Sequence, residues 1–236
     1  MAMRAPSPFD ARQDLADAPA TSRRLRPKDA ATLILVRQTR GVPEVLMGRR
    51  APGHVFMASK WVFPGGRIER ADFGAASATD LAAEVAARLE RETAPRRARA
   101  LALAAVRETF EETGLILGRT APPASVAGPW RAFRQSGALP DLAALTYVAR
   151  AITPPGRTRR FDARFFMADG KTLLAHGAAS GELDEVAWLP LPEARALDLP
   201  AITRFVLSEV AARLDEDPRP LPFVRWRHGH HAVDYD

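Results

Sequence analysis

The chain has no cysteine in its 236 residues, which excludes disulfides, thiolate metal sites and a cysteine nucleophile together. It also lacks any apolar run near the roughly 18 residues that a membrane-spanning helix requires. The first residues lack the apolar core of a secretory signal, and no internal repeat is visible. These absences lead us to expect a soluble, cytoplasmic protein. What is present is ample hydrophobic material, 47% of residues, enough to bury a good core and form one domain with added segments. The net charge of +6 favours anionic ligands. Arginine-rich composition also accompanies GC-rich genomes, so this basic balance is weak evidence for nucleic-acid binding.

The stretch from Trp61 to Leu115 organises the rest. It opens with Trp61-Val62-Phe63-Pro64-Gly65-Gly66 and closes with Arg107-Glu108-Thr109-Phe110-Glu111-Glu112-Thr113-Gly114-Leu115. The closing part reads as the end of a helix, with Gly114 as its C-terminal cap. Glu108, Glu111 and Glu112 fall at i, i+3 and i+4, so their carboxylates share one side. At about 100° per residue, Leu103, Val106, Phe110 and Thr113 fall on the other side and suit a core. Taken alone, three glutamates on a helix read as a solvated face. Crowded hard oxygen donors also suit Mg²⁺ or Mn²⁺, and a Gly-Gly turn after an aromatic strand lets backbone approach a ligand closely.

These residues resemble the box of the Nudix hydrolase family, G-x5-E-x7-R-E-U-x-E-E-x-G-U, with U apolar. Gly66 supplies the first glycine and residues 107 to 115 supply the second half. Three departures stand out. The first glutamate falls on Asp72, the first U position holds Thr109, and residues 73 to 106 separate Asp72 from Arg107, far more than the pattern allows. An interrupted box is similar to the branch with peroxisomal coenzyme A diphosphatases and their bacterial relatives, as is the run from Val55 to Gly66.

The resemblance implies an α/β fold, a mixed sheet between helices with the glutamate helix on one side. It implies that Glu108, Glu111 and Glu112, helped by the Gly66 carbonyl, hold Mg²⁺ or Mn²⁺, while Arg107 orients a neighbouring carboxylate. It places a general base in the loop before a late strand, where Glu182 is the first candidate and Glu185 the second. It also carries an expectation of a homodimer.

Along the chain, residues 1–28 read as a tail, 29–216 as the Nudix domain with an insertion near 73–97, and 217–236 as a second tail. Ala30 to Arg37 and Glu44 to Gly48 read as a hairpin. Arg49 and Arg50 at its end are candidate phosphate contacts, and His54 follows in a loop. In the insertion, Thr79 or Asp80 is expected to cap a helix reaching Arg91, and Pro95 opens the glutamate helix. Gly118 to Pro140 reads as a loop with a helical piece at Trp130 to Arg134. Leu142 to Ile152 and Phe161 to Ala168 read as strands, and Arg159 and Arg160 before the latter are further phosphate candidates. Gly177 to Gly181 is a small-residue loop. Pro190 to Ala196 and Pro200 to Leu214 read as helices, and Arg225 to His231 concentrates histidines in a surface tail or lid edge.

The expected activity is metal-dependent hydrolysis of a diphosphate joining a nucleoside to another group, with coenzyme A or acyl-coenzyme A first and ADP-ribose second. No membrane partner is expected. A reading from another class is a nucleotide- or RNA-binding module that kept the scaffold without the chemistry; three crowded carboxylates speak against it.

Overall fold

In the computed structural model, which describes residues 9–11, 20–50, 59–174, 182–215 and 218–236, strand β1 (Lys28–Thr39) sets the frame. Its Leu33 and Leu35 enter one core while Ile34 and Val36 enter another. Period-two alternation with apolar residues on both faces marks a strand covered on both sides. Arg40 and Gly41, both at positive φ (50° and 81°), turn the chain into antiparallel β2 (Val42–Arg50). A two-residue turn with both residues left-handed matches the twist of its flanking strands.

Beyond Val36 and Val45 this hairpin splays, and the next segment fills the fork. Strand β3 (Trp61–Val62) pairs with β2, and β4 (Gly65–Arg67) pairs with β1. Helices α1 (Ala83–Glu90) and α2 (Pro95–Thr113) follow. Strands β5 (Gly118–Thr120) and β6 (Ala138–Pro140) make a small separate sheet around the short helix α3 (Arg131–Gln135). The large sheet resumes with β7 (Thr146–Ile152), β8 (Phe161–Asp169) and β9 (Leu183–Pro190). After α4 (Leu191–Ala196) and α5 (Ala201–Asp215), the described chain ends in β10 (Pro222–Arg227) and β11 (His230–Tyr235). The strand order is β11-β10-β7-β8-β1-β2, with β9 on β2. Pairs β1–β8 and β7–β10 are parallel, so the sheet is mixed.

Helix α2 covers one face through Leu101, Ala105 and Phe110, against Leu33, Leu46 and Phe166. Helices α4 and α5 cover the other through Leu191, Phe205, Val206 and Val210, against Ile34, Met47 and Phe165. The α/β sandwich expected from the family pattern is therefore present.

Four expectations need correction. The C-terminal segment is no tail: β10 pairs with β7, and His228-Gly229, with φ of 49° and 81°, makes the hairpin turn to β11. Nor is the N-terminal arm wholly loose, because Ala11 is buried and Phe9 lies edge-on to Phe205 and His231, with ring centroids 5.6 and 4.8 Å away. Thr79 does not cap a helix; its hydroxyl donates to Asp141 at 2.6 Å, and α1 begins later, at Ala83. The strand expected from Leu142 starts at Thr146, because Leu142–Ala144 closes into a 3₁₀ turn.

Candidate active site

Helix α2 delivers the acidic residues, and its geometry follows from its ends. Pro95 sits in the first turn, where its missing N–H costs nothing. Gly114 ends the helix at φ 73° and donates to Phe110 O at 2.8 Å. The acidic face is only partly solvated, because the β4 turn closes over Glu108 and Glu112. Glu112, 2% exposed, accepts the Gly65 N–H at 2.9 Å. A Cβ on Gly66 would overlap the Glu108 carboxylate, and one on Gly65 would sit 2.5 Å from Ala31 O. Close approach of backbone to backbone and to carboxylate is what both glycines permit.

Arg107, 1% exposed, is the hub. Its Nε and Nη2 grip Asp72 at 2.9 and 3.0 Å, Nη1 reaches Glu108 at 2.9 Å and Glu111 at 3.1 Å, and Nη2 also donates to Arg67 O at 3.0 Å. All five guanidinium N–H groups are thereby engaged. Burial alone opposes that charge, but the Asp72 bonds and the fields of Glu108 and Glu111 outweigh it and hold the guanidinium pKa above its ordinary value. Asp72, fully buried in the 3₁₀ turn Arg70–Phe73, also accepts the Glu69 N–H at 2.7 Å and the Trp130 indole N–H at 3.0 Å.

The glutamates feel their burial first. It pushes Glu112 up to about 8, against the pull of the Gly65 N–H and Arg50, with Glu182 and Glu108 adding to the rise. Burial likewise raises Glu108 to about 7, against Arg107 and with Glu111 and Glu182. Glu111 is raised too, by burial first and against Arg107. Negative charge is in excess here, and protonation relieves it.

Glu108 and Glu112 open onto a cleft of about 800 Å³, together with Gly66, Glu182, Arg50, Arg159 and Arg160. Cationic Arg26 and Lys28 line it as well, with Phe9, Phe63 and His231 supplying apolar surface. Among the described residues, no group of three His, Cys, Asp or Glu side chains is gathered for a metal ion as it stands. The described lining includes nothing from residues 73–97.

No protein-family model matches the chain. A crystal structure of a NUDIX hydrolase from Alicyclobacillus acidocaldarius superposes with a TM-score of 0.58 at 28% identity, covering 79% of this chain and 92% of that one. The acyl-coenzyme A diphosphatase NUDT19 of Gallus gallus is 30% identical over 223 residues, 71% of this chain. The chain belongs to the Nudix hydrolase family. It spans 57% of the length of that curated relative.

Within this Nudix fold the anticipated residues divide. Glu108, Glu112, Gly66 and Glu182 meet at the cleft, with Arg50 and Arg159. Glu111 instead turns to Arg107, half-buried. Arg49 faces away from the described lining and pairs with Glu185 at the surface, 3.3 Å apart. Arg160 lines the cleft while bracing it, donating to Thr153 O at 3.0 Å and Leu25 O at 2.6 Å. His54 and the loop Gly177 to Gly181 lie outside the described residues. Sequence reasoning missed Trp130 and the arm residue Phe9. A lone tryptophan between Pro129 and a short helix was the sole local signal of the former.

Proposed function

We propose that this chain hydrolyses a diphosphate joining a nucleoside to a second group, with coenzyme A or acyl-coenzyme A as its substrate. The observation that carries the reading is the pairing of two carboxylates in charge excess, buried Glu112 and part-buried Glu108, with a cationic wall across one cleft. A cationic wall suits coenzyme A, which bears a phosphate beyond its diphosphate. The interrupted box and the 30% identity to a diphosphatase support the same choice.

The residues fit a divalent cation by donor chemistry: hard carboxylate oxygens whose negative charge the protein leaves uncompensated. Glu108 and Glu112 are the proposed ligands, with Glu111 beside them and the Gly66 carbonyl as a further donor. Bound there, Mg²⁺ or Mn²⁺ supplies charge neutralisation at the phosphates and water of lowered pKa. Arg107 holds Glu108 and Glu111 in place by charge-assisted bonds. Arg50 and Arg159 grip the phosphates, and Glu182 accepts the proton of the attacking water. Two phosphate monoesters leave, and no covalent intermediate forms.

Incubating the pure protein and Mg²⁺ with coenzyme A, an acyl-coenzyme A and ADP-ribose, then resolving the products, tests this. Cleavage of the coenzyme A compounds is expected. Turnover of ADP-ribose with coenzyme A untouched would overturn the substrate, and Glu112→Gln that binds nucleotide as wild type, with no turnover in either, would return the chain to a binding module.

A further inference from the structure

Trp130 lies outside both the box and the cleft, yet two independent supports of the glutamate helix meet on it. Its indole N–H donates to Asp72 Oδ1 at 3.0 Å. Its ring stands edge-to-face on Phe133, centroids 5.3 Å apart, and Phe133 stands edge-to-face on Phe110 at 5.2 Å. Phe110 is on α2 itself, between Glu108 and Glu111. A closed path therefore runs from Trp130 through Asp72 and Arg107 to the glutamates, and back through Phe110 and Phe133.

Asp72 is the shorter carboxylate at a position where the box has glutamate, and it is fully buried. Oδ1 receives Arg107 Nε and Trp130 Nε1; Oδ2 receives Arg107 Nη2 and the Glu69 N–H. Without the indole N–H, Oδ1 keeps a single donor and the carboxylate is held by three bonds in place of four, with its Oδ1 side loosened. Arg107 has no spare N–H to compensate, so a shift in its fork moves Glu108 and Glu111.

We propose that Trp130 is a positioning residue for hydrolysis: its N–H locks the Asp72 carboxylate, and through the Arg107 fork it aims Glu108 at the cleft. This rests on the reading of the glutamates as cation ligands. Outer partners of ligands set both affinity and rate, by roughly 10- to 100-fold.

The test is Trp130→Phe, which keeps a ring and removes the N–H, read by Mn²⁺ affinity from the free-ion spin resonance signal and by steady-state kinetics. Mn²⁺ binding is expected to weaken by about tenfold or more, with kcat falling alike and KM hardly moving. Trp188→Phe, an indole of the same core cluster remote from Asp72, is expected to alter stability and neither readout. Trp130→His, retaining a ring donor, recovers part of the loss. Combined with Asp72→Asn, Trp130→Phe adds nothing further. Unchanged Mn²⁺ affinity and kcat in Trp130→Phe, or fully additive losses, would overturn the proposal. Should Trp130→Phe not fold, the indole N–H resonance of the native protein decides: slow exchange and a shift on adding Mg²⁺ support it, and rapid surface-like exchange overturns it. If wild type binds Mn²⁺ but splits no substrate in the panel, the reaction fails while the positioning test still stands.

Discussion

Two clusters of buried charge flank α2, and they are built on opposite terms. In the turn after α1, the first turn of α2 and the sheet, Arg97, Arg150 and Arg164 meet Asp29, Glu92 and Asp162, three cations against three anions, of which Arg97 is half exposed and the others largely buried. Arg150 forks onto Asp162 at 2.9 and 2.8 Å, Arg164 lies 2.9 Å from Asp162 and 3.4 Å from Glu92, and Arg97 reaches Asp29 at 2.6 Å. Tyr147 donates to Glu92 at 3.0 Å, and burial first, then Glu92, pushes its hydroxyl pKa well up. At the other end of the helix, Arg107 is bonded to Asp72, Glu108 and Glu111, and Glu112 lies adjacent under the pull of Arg50, so the acids still outnumber the cations. The balanced cluster is matched charge for charge and ties the insertion to the sheet. The unbalanced one is where we propose that a cation binds. Imbalance, more than burial, is what distinguishes a site from a brace.

The widest separation between the two should come from paired substitutions. Glu112→Gln is expected to cut turnover by orders of magnitude while leaving the metal-free fold intact, since the amide is uncharged like the protonated acid and its carbonyl can keep the Gly65 bond. Glu92→Gln should do the reverse, costing about 3 kcal/mol in denaturant unfolding by stranding buried arginines and sparing kcat. Equal effects of the two on activity would erase the distinction. Gly66→Ala comes next: its Cβ would displace the Glu108 carboxylate, so Mn²⁺ binding and turnover should both be lost with little change in circular dichroism.

Acidity sharpens the comparison further. Glu112 and Glu108 hold their protons in the fold, at about 8 and 7, beyond the ordinary value of 4.5. Between those values the folded chain binds more protons than the unfolded one, so stability falls as pH rises. Chelator-treated protein should therefore lose thermal stability from about pH 5 to pH 8, by on the order of a few kcal/mol. Millimolar Mn²⁺ should flatten that slope, and a slope unchanged by metal would contradict the scheme. The smallest effect is expected at Arg49. Its pair with Glu185 is roughly half exposed, so Arg49→Ala should change stability by less than about 0.5 kcal/mol and leave KM alone, whereas Arg50→Ala should raise KM.

Much of this was legible in the chain. Gly114 and the spacing of Glu108, Glu111 and Glu112 mark a helix end with one acidic face, and the alternation from Leu33 to Val36 marks a two-faced strand. What periodicity cannot encode is which carboxylate turns where. Glu111 and Glu112 are neighbours, yet one is bonded to Arg107 and the other to Gly65 N–H, because the β4 turn covers only part of the face. Trp130 meets Asp72 across 58 positions of sequence, a contact made by two loops whose paths no local pattern sets. The C-terminal hairpin did leave a signal. His228-Gly229 between alternating residues is a two-residue turn of the kind that joins hairpin strands.

The most direct test is calorimetry of Mn²⁺ binding near pH 7 in two buffers of different ionisation enthalpy. Binding with release of protons, both absent in Glu112→Gln, is the predicted result, because the cation must displace protons that Glu108 and Glu112 hold. Millimolar Mn²⁺ that produces neither heat nor proton release would show that the carboxylate excess serves some other end.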